Sequence, residues 1–302
     1  MNVEAVLAGA VAGGTSILYP TLGEVVSERA GVINLGTEGS MVCGAMAAYA
    51  VGIETGNPWI GVAAGIVAGA LLSAVHAFLV LRRGANQIAV GLVVTFLGLG
   101  LTALFGQDYV GQGVVPLETV AIPGLSELPF VGTILFEHDV LTYLSLIAAV
   151  GLWYWVFRTR SGMKLRAAGE RPDVLHTFGD SPTMIRYGAV LVGGALAGLG
   201  GAQLSTAFTL NWSEGMTVGR GFVAVGLVIF AAWNPLKAIA GAYLFSGAIA
   251  LQLQLQAEGS DISRYLLQAL PYLVVIGVLA ILSRRRADAA PEALSRVFEH
   301  SV

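Results

Sequence analysis

An all-α, polytopic bundle of transmembrane helices is the fold class this sequence predicts, and three observations predict it. The 302 residues are 56% hydrophobic and only 12% charged, with a mean hydropathy of +0.76. A water-soluble domain cannot bury so large an apolar share, whereas a bilayer accepts it as solvent. The apolar residues are gathered into about nine stretches, each near the length of roughly 20 residues that crosses the hydrocarbon core as a helix. Fourteen of the sixteen Lys and Arg residues fall on one side of a single threading of those stretches.

In chain order the expected spans are 4–25, 36–53, 58–81, 87–106, 139–157, 184–207, 219–233, 236–256 and 264–283, with eight to ten as the range. None alternates polar and apolar residues as a membrane barrel strand would, so helices are the spanning form. The seventh is short and closes at Asn234-Pro235, which a re-entrant helix would also explain. Forty glycines weaken soluble helices but let membrane helices approach closely. Gly9 and Gly13, the series Gly61, Gly65 and Gly69, and Gly194 with Gly198 each stand four apart and predict helix-packing grooves. The chain reads as a single transmembrane domain over 1–302, and a cleaved signal peptide is not expected.

With Arg82 and Arg83 inside, Arg29, Arg158, Arg160, Lys164, Arg166, Arg171, Arg186, Lys237, Arg284, Arg285, Arg286 and Arg296 are inside too. Only Arg220 and Arg264 remain outside. The positive-inside bias then gives an N-terminus outside, a C-terminus in the cytoplasm and a plasma or inner membrane location. The external loop 107–138 lacks Lys and Arg, is rich in Pro and Gly, and reads as an irregular cap. The cytoplasmic loop 158–185 holds five basic residues beside one short helix, started by Pro172 and stopped by Gly179. Such a turn is unstable alone, so it either packs on a partner or the bundle, or is a basic connector at the headgroups.

Polar residues inside apolar spans mark either bracing or a translocation path. Asn34 and Glu38, four apart, and Asn86 with Gln87 and Thr95 are the path candidates. Interhelical hydrogen bonding explains the same residues. Glu214 and Arg220 on the external side are docking candidates for an external protein, or partners of each other. His76 is expected to be packed and bonded to backbone, and Cys43 to be a small packed residue. No CxxC, no phosphate-binding GxxxxGK[ST] loop and no grouping of His, Asp or Cys is present, so no catalytic residue, metal or bound cofactor is expected. Nothing calls for a nucleic-acid partner.

Four segments, in order along nearly the whole chain, carry a resemblance. SERAGVINLGTEG at 27–39, GANQIAVGLVVTFLGLGL at 84–101 and GRGFVAVGLVIFAAWNPLKA at 219–238 are three of them. The fourth is Ala168-Gly169-Glu170-Arg171-Pro172 followed by GAVLVGGALAGLGGA at 188–202. Together they resemble ATP-binding-cassette (ABC) importer permeases of the branched-chain amino acid, simple-sugar and nucleoside superfamily, in its simple-sugar/nucleoside branch. The chain departs from the family in carrying Arg171 rather than Asn before its Pro. The resemblance implies the ABC importer permease fold and translocation of nucleosides or simple sugars delivered by an external binding lipoprotein. It implies a second, non-identical permease and two ATP-binding domains that hold the ATP and Mg, so that this chain is not itself an enzyme. It also implies coupling to the ATPase through Gly169, Glu170, Arg171, Pro172, Asp173 and Gly179. The alternative is an ATP-independent secondary transporter or channel, which calls for a buried ionisable pair; the spans, as read from sequence, place no Asp, Lys or Arg at mid-membrane.

Overall fold

The computed structural model describes residues 3–259, 262–282 and 290–294. Arg284, Arg285, Arg286 and Arg296 lie outside the described residues. The helices are α1 (Val3–Arg29), α2 (Thr37–Thr55), α3 (Pro58–Arg83), α4 (Gln87–Phe105), α5 (Val131–Leu135), α6 (Val140–Arg158), α7 (Arg160–Glu170), α8 (Pro172–Thr177), α9 (Pro182–Gln203), α10 (Arg220–Phe230), α11 (Pro235–Ala257) and α12 (Arg264–Leu282). Every predicted span carries a helix. Among the described residues, six of them, α1, α3, α4, α6, α11 and α9 with its extension to Phe208, are long and apolar enough to cross a bilayer. By length and composition alone, then, the crossing number is not fixed at nine: α10 has only eleven residues.

Local chemistry explains the helix ends. Asn57, Asn86, Asp139, Thr159, Ser181 and Asn234 each cap the helix that follows by accepting a hydrogen bond from a first-turn N–H. Pro58, Pro172, Pro182 and Pro235 stand in the first turn, where the missing N–H is not needed. Beyond Gln203, α9 widens into a π-helical turn over Leu204–Phe208.

The core is a seam of glycines where α2, α3 and α9 cross. A Cβ at Gly44 would strike the backbone of Gly198, one at Gly69 the Gly194 carbonyl, and one at Gly201 the Met41 carbonyl. The predicted small-residue spacings on α3 and α9 thus face each other and α2. Helix α1 runs through the middle, buried from Ala10 to Glu28 apart from Ala12, between α9 and α11.

Arg29, Arg83 and Arg158 close α1, α3 and α6, while Arg186 and Lys237 lie near the starts of α9 and α11, which makes one end of the bundle basic. At the other end, the segment expected to be an irregular cap is partly ordered. β1 (Thr119–Ala121) pairs antiparallel with β2 (Glu137–Asp139), and α5 lies between them. Leu117 N–H donates to the Thr206 carbonyl (3.0 Å), and Tyr49 donates its hydroxyl proton to the Gln112 carbonyl. Both bonds tie this cap to the bundle.

Candidate functional site

At the basic end the single predicted turn is a helical hairpin. α8 covers Pro172–Thr177 as expected, but the eleven-residue α7 precedes it. Thr159 Oγ1 accepts from Gly162 N–H at 3.1 Å, and Leu165, Ala168 and Gly169 bury one face of α7. A Cβ on Gly169 would strike the Arg29 carbonyl. Arg186 closes the same joint, donating from Nε to the Ala30 carbonyl (3.0 Å) and from Nη2 to the Ala168 carbonyl (2.7 Å). Lys164 pairs with Asp180 at 2.8 Å. On α8, Leu175 is buried, whereas Arg171, Asp173, Val174, His176 and Phe178 are exposed, Phe178 to 79%. Gly179 follows with φ 78°, the left-handed conformation expected of a helix stop. Glu170 accepts from Glu292 N–H (3.2 Å) in a C-terminal segment whose Leu294 is buried against Val25, Val228 and Trp233.

A second joint links α1 to the turn between α10 and α11. Glu28 Oε2 accepts from Trp233 Nε1 (2.5 Å), and Arg29 donates to the carbonyls of Trp233 (3.0 Å) and Ala232 (3.3 Å). Both turn residues hold left-handed φ, 50° at Ala232 and 55° at Trp233. Such backbone persists in side-chain-bearing residues only where surrounding contacts enforce it.

Three of the five path candidates, Asn34, Gln87 and Thr95, hydrogen-bond within or onto the α1–α2 connection, which folds back into the bundle. Asn34 N–H donates to Glu24 Oε1 (2.7 Å), Asn34 Nδ2 donates to Ser73 Oγ (3.3 Å), and Asn34 Oδ1 accepts from Gly36 N–H (3.0 Å). Gln87 Oε1 accepts from Ile33 N–H (2.9 Å), and Thr95 Oγ1 donates to the Leu35 carbonyl (2.9 Å). Asn86 caps α4 through Ile88 and Ala89 N–H, each at 3.0 Å. His76 Nε2 meets the Ile33 carbonyl at 3.2 Å, as its packed reading implied. Glu38 caps a helix remote in sequence: it accepts from Thr217 Oγ1 (2.6 Å), Gly219 N–H (2.9 Å) and Gly221 N–H (2.6 Å) at the start of α10. Glu24 belongs to the polar set that the sequence marks around the first inner turn, with Glu28, Arg29, Asn34 and Glu38. Ser73, which completes this network, was not singled out, because a lone Ser in a span gives no hint of its partner.

These contacts correct the sequence reading of Arg220 as an external residue. Gly39, next to Glu38, packs against Thr95, eight residues into α4 and therefore roughly 12 Å from its basic-end terminus. Asn34 touches Ser73, ten residues before the end of α3, roughly 15 Å from the same end. The start of α10 accordingly lies near the middle of the bundle. Trp212, against Gly106 at the far end of α4, marks the other end of the irregular segment that descends to it. Arg220 and Glu38 are thus ionisable residues at mid-depth, where the sequence placed no Arg. Glu214 remains exposed, and among the described residues no ion pair joins it to Arg220. Among the described residues no three His, Cys, Asp or Glu side chains group as a metal site.

The family described as "branched-chain amino acid transport system / permease component" matches residues 6–281. The chain is 44% identical over 251 residues to a putative glucose ABC transporter permease of Haloferax volcanii, covering 82% of this chain and 76% of that one. It is 32% identical to a nucleoside ABC transporter permease of Lactococcus lactis subsp. cremoris, over 93% of this chain and 92% of the relative. A guanosine ABC transporter permease of Bacillus subtilis is 30% identical over 86% of each chain. No solved structure matches.

Proposed function

The chain belongs to the family of branched-chain amino acid transport system permease components, a multi-pass membrane family, and from that premise we propose that it is the nucleoside- or simple-sugar-translocating subunit of an ABC importer. The solute class rests on what its relatives carry: they are a putative glucose permease, a nucleoside permease and a guanosine permease. In this reading the chain makes nine crossings, the seventh formed by the irregular segment 209–219 together with α10. Its N-terminus is outside and its basic end is cytoplasmic. A second, non-identical permease completes the pathway, an external solute-binding lipoprotein delivers the solute, and two ATP-binding domains carry ATP and Mg.

The α7–α8 hairpin is the observation that carries the coupling role. Its outer surface offers Phe178, Val174 and Asp173 to a partner, while its inner surface is fixed to α1 through Gly169 and the Arg186 clamp. A push on α8 therefore reaches α1, and through Glu28 and Arg29 the turn that ends α10. Glu170, Arg171, Pro172 and Gly179 shape the hairpin that receives the push. The ATP-independent alternative called for a buried ionisable pair; Glu38 is buried and Arg220 half-buried beside it, but among the described residues no ion pair joins them. Both oxygens of Glu38 are also held by donors at the start of α10, which suits a structural carboxylate better than one that exchanges ions.

Reconstitution of the complete complex in vesicles tests this reading. Uptake should require ATP and survive collapse of ion gradients. A double substitution, Glu170→Ala with Pro172→Ala, should lower solute-stimulated ATPase activity at least ten-fold at an unchanged membrane level. Gradient-driven uptake without ATP, or full stimulation in the double variant, would overturn it.

A further inference from the structure

Arg220 lines two clefts whose role the coupling hairpin does not explain. One, of about 550 Å³, is walled by α10, α11 and α12 and lined by Arg220, Phe245, Gln252, Gln268 and Tyr272 among others. The second, of about 340 Å³, also has Arg220 in its wall and reaches α1, with Ser246 and Gln254 among its other lining residues. Among the described residues the Arg220 side chain has no hydrogen-bond partner and no ion pair. A charged group at this depth is costly unless water, a partner or a solute satisfies it. Side chains on a helix lean towards its N-terminus, so Arg220 reaches from the head of α10 away from the basic end, into the half of the bundle that holds both clefts.

We propose that the larger cleft is a solute-binding station on the translocation path, with Arg220 as its central donor, and that it takes an uncharged ring bearing hydroxyl or carbonyl acceptors. The proposal rests on the importer reading and gives that reading a site. Size fits, because small-molecule pockets run from about 300 to 1,000 Å³. Charge fits, because Glu38, bound to the N–H of Gly221, sets an acidic group beside the residue that follows Arg220. Chemistry fits as well. The guanidinium donates in a fixed fork, and Gln252 and Gln268 offer both donors and acceptors to a hydroxylated ring or a base edge. Phe245 and Tyr272, in edge-to-face contact at 5.8 Å, present aromatic surface to the ring's apolar face.

Cysteine accessibility in the assembled, vesicle-reconstituted transporter tests the site, with buried Cys43 as a quiet background. Gln252→Cys and Gln268→Cys should react with a charged, membrane-impermeant thiosulfonate, and reaction should slow at least three-fold during ATP-driven import of guanosine or glucose. Labelling only by a lipid-soluble maleimide, or at a rate indifferent to ongoing import, would refute the site and leave the importer reading standing. A wild-type transporter that imports neither guanosine nor glucose would overturn the solute class and this proposal with it. Arg220→Ala should cut import at least ten-fold at normal membrane level while docking of the binding protein persists. Should that variant fail to assemble, Gln268→Leu, at an exposed position, should cut import at least three-fold. Import at the wild-type rate in the assembled variant would refute the proposal.

Discussion

Glu38 connects two stretches of chain 183 residues apart, from the start of α2 to Gly221 in the first turn of α10. Its two oxygens accept one hydroxyl proton and two backbone N–H groups, and the side chain is buried. A buried donor left unmade costs about 1–3 kcal/mol, so Glu38→Ala should destabilise the subunit by roughly 3 kcal/mol or more. Thermal unfolding in detergent should show a melting temperature lower by several degrees, with Glu38→Gln in between because its amide oxygen still accepts. A Glu38→Ala variant as stable as the wild type would contradict the capping role. The sequence makes Asn34 and Glu38 visible as polar residues that need partners. It does not reveal those partners, because Glu24, Ser73 and Thr217 are ordinary residues made special only by the way α1, α3 and α10 converge. Arg220 was misplaced for a related reason: threading by charge assigns residues to sides, and a helix that begins halfway down the bundle belongs to neither.

Glycine spacing works at the scale of the helix. The four-residue intervals on α3 and α9 are legible in the sequence, but a small-residue groove has no label for its partner, so the three-way crossing with α2 is not. At Gly201 a side chain would strike the Met41 carbonyl, whereas a side chain at Gly188, on the same helix, meets nothing within 4 Å. Gly201→Val should therefore block close approach of α2 and α9, and the subunit should leave a size-exclusion column as aggregate. Gly188→Ala should elute as the wild type does, with stability unchanged or raised by up to about 1 kcal/mol. Normal elution of Gly201→Val would show that the crossing is looser than described. The hairpin at the basic end teaches the reverse lesson. α8 was legible from Pro172 and Gly179, two strong punctuation marks. α7 was not, because its buried face of Gly162, Leu165, Ala168 and Gly169 is small-residue surface that reads as connector until α1 is laid against it.

If the chain works as the importer subunit proposed above, the question for the molecule as a whole is how a force at one end reaches a cleft at the other. The continuous physical route runs from α8 through α7 to the end of α1, across Arg29 and Glu28 to the α10–α11 turn, and along α10 to Arg220. Every step in it is a packed helix or a set of hydrogen bonds, and Arg186 is the member most easily removed without touching either end. It holds two carbonyls, on Ala30 and Ala168, that belong to the two elements being joined. In Arg186→Ala, α7 remains packed through Gly169, so the subunit should assemble and the ATPase should still turn over. What should fall, at least three-fold, is the amount of solute imported per phosphate released in reconstituted vesicles. Arg186→Lys should restore little of this ratio, because a single ammonium lacks the rigid fork that reaches two separate acceptors. An unchanged ratio in Arg186→Ala would place the transmission of force elsewhere, such as the direct packing of Gly169 on Arg29 and of Leu165 on Val26 and Ala30.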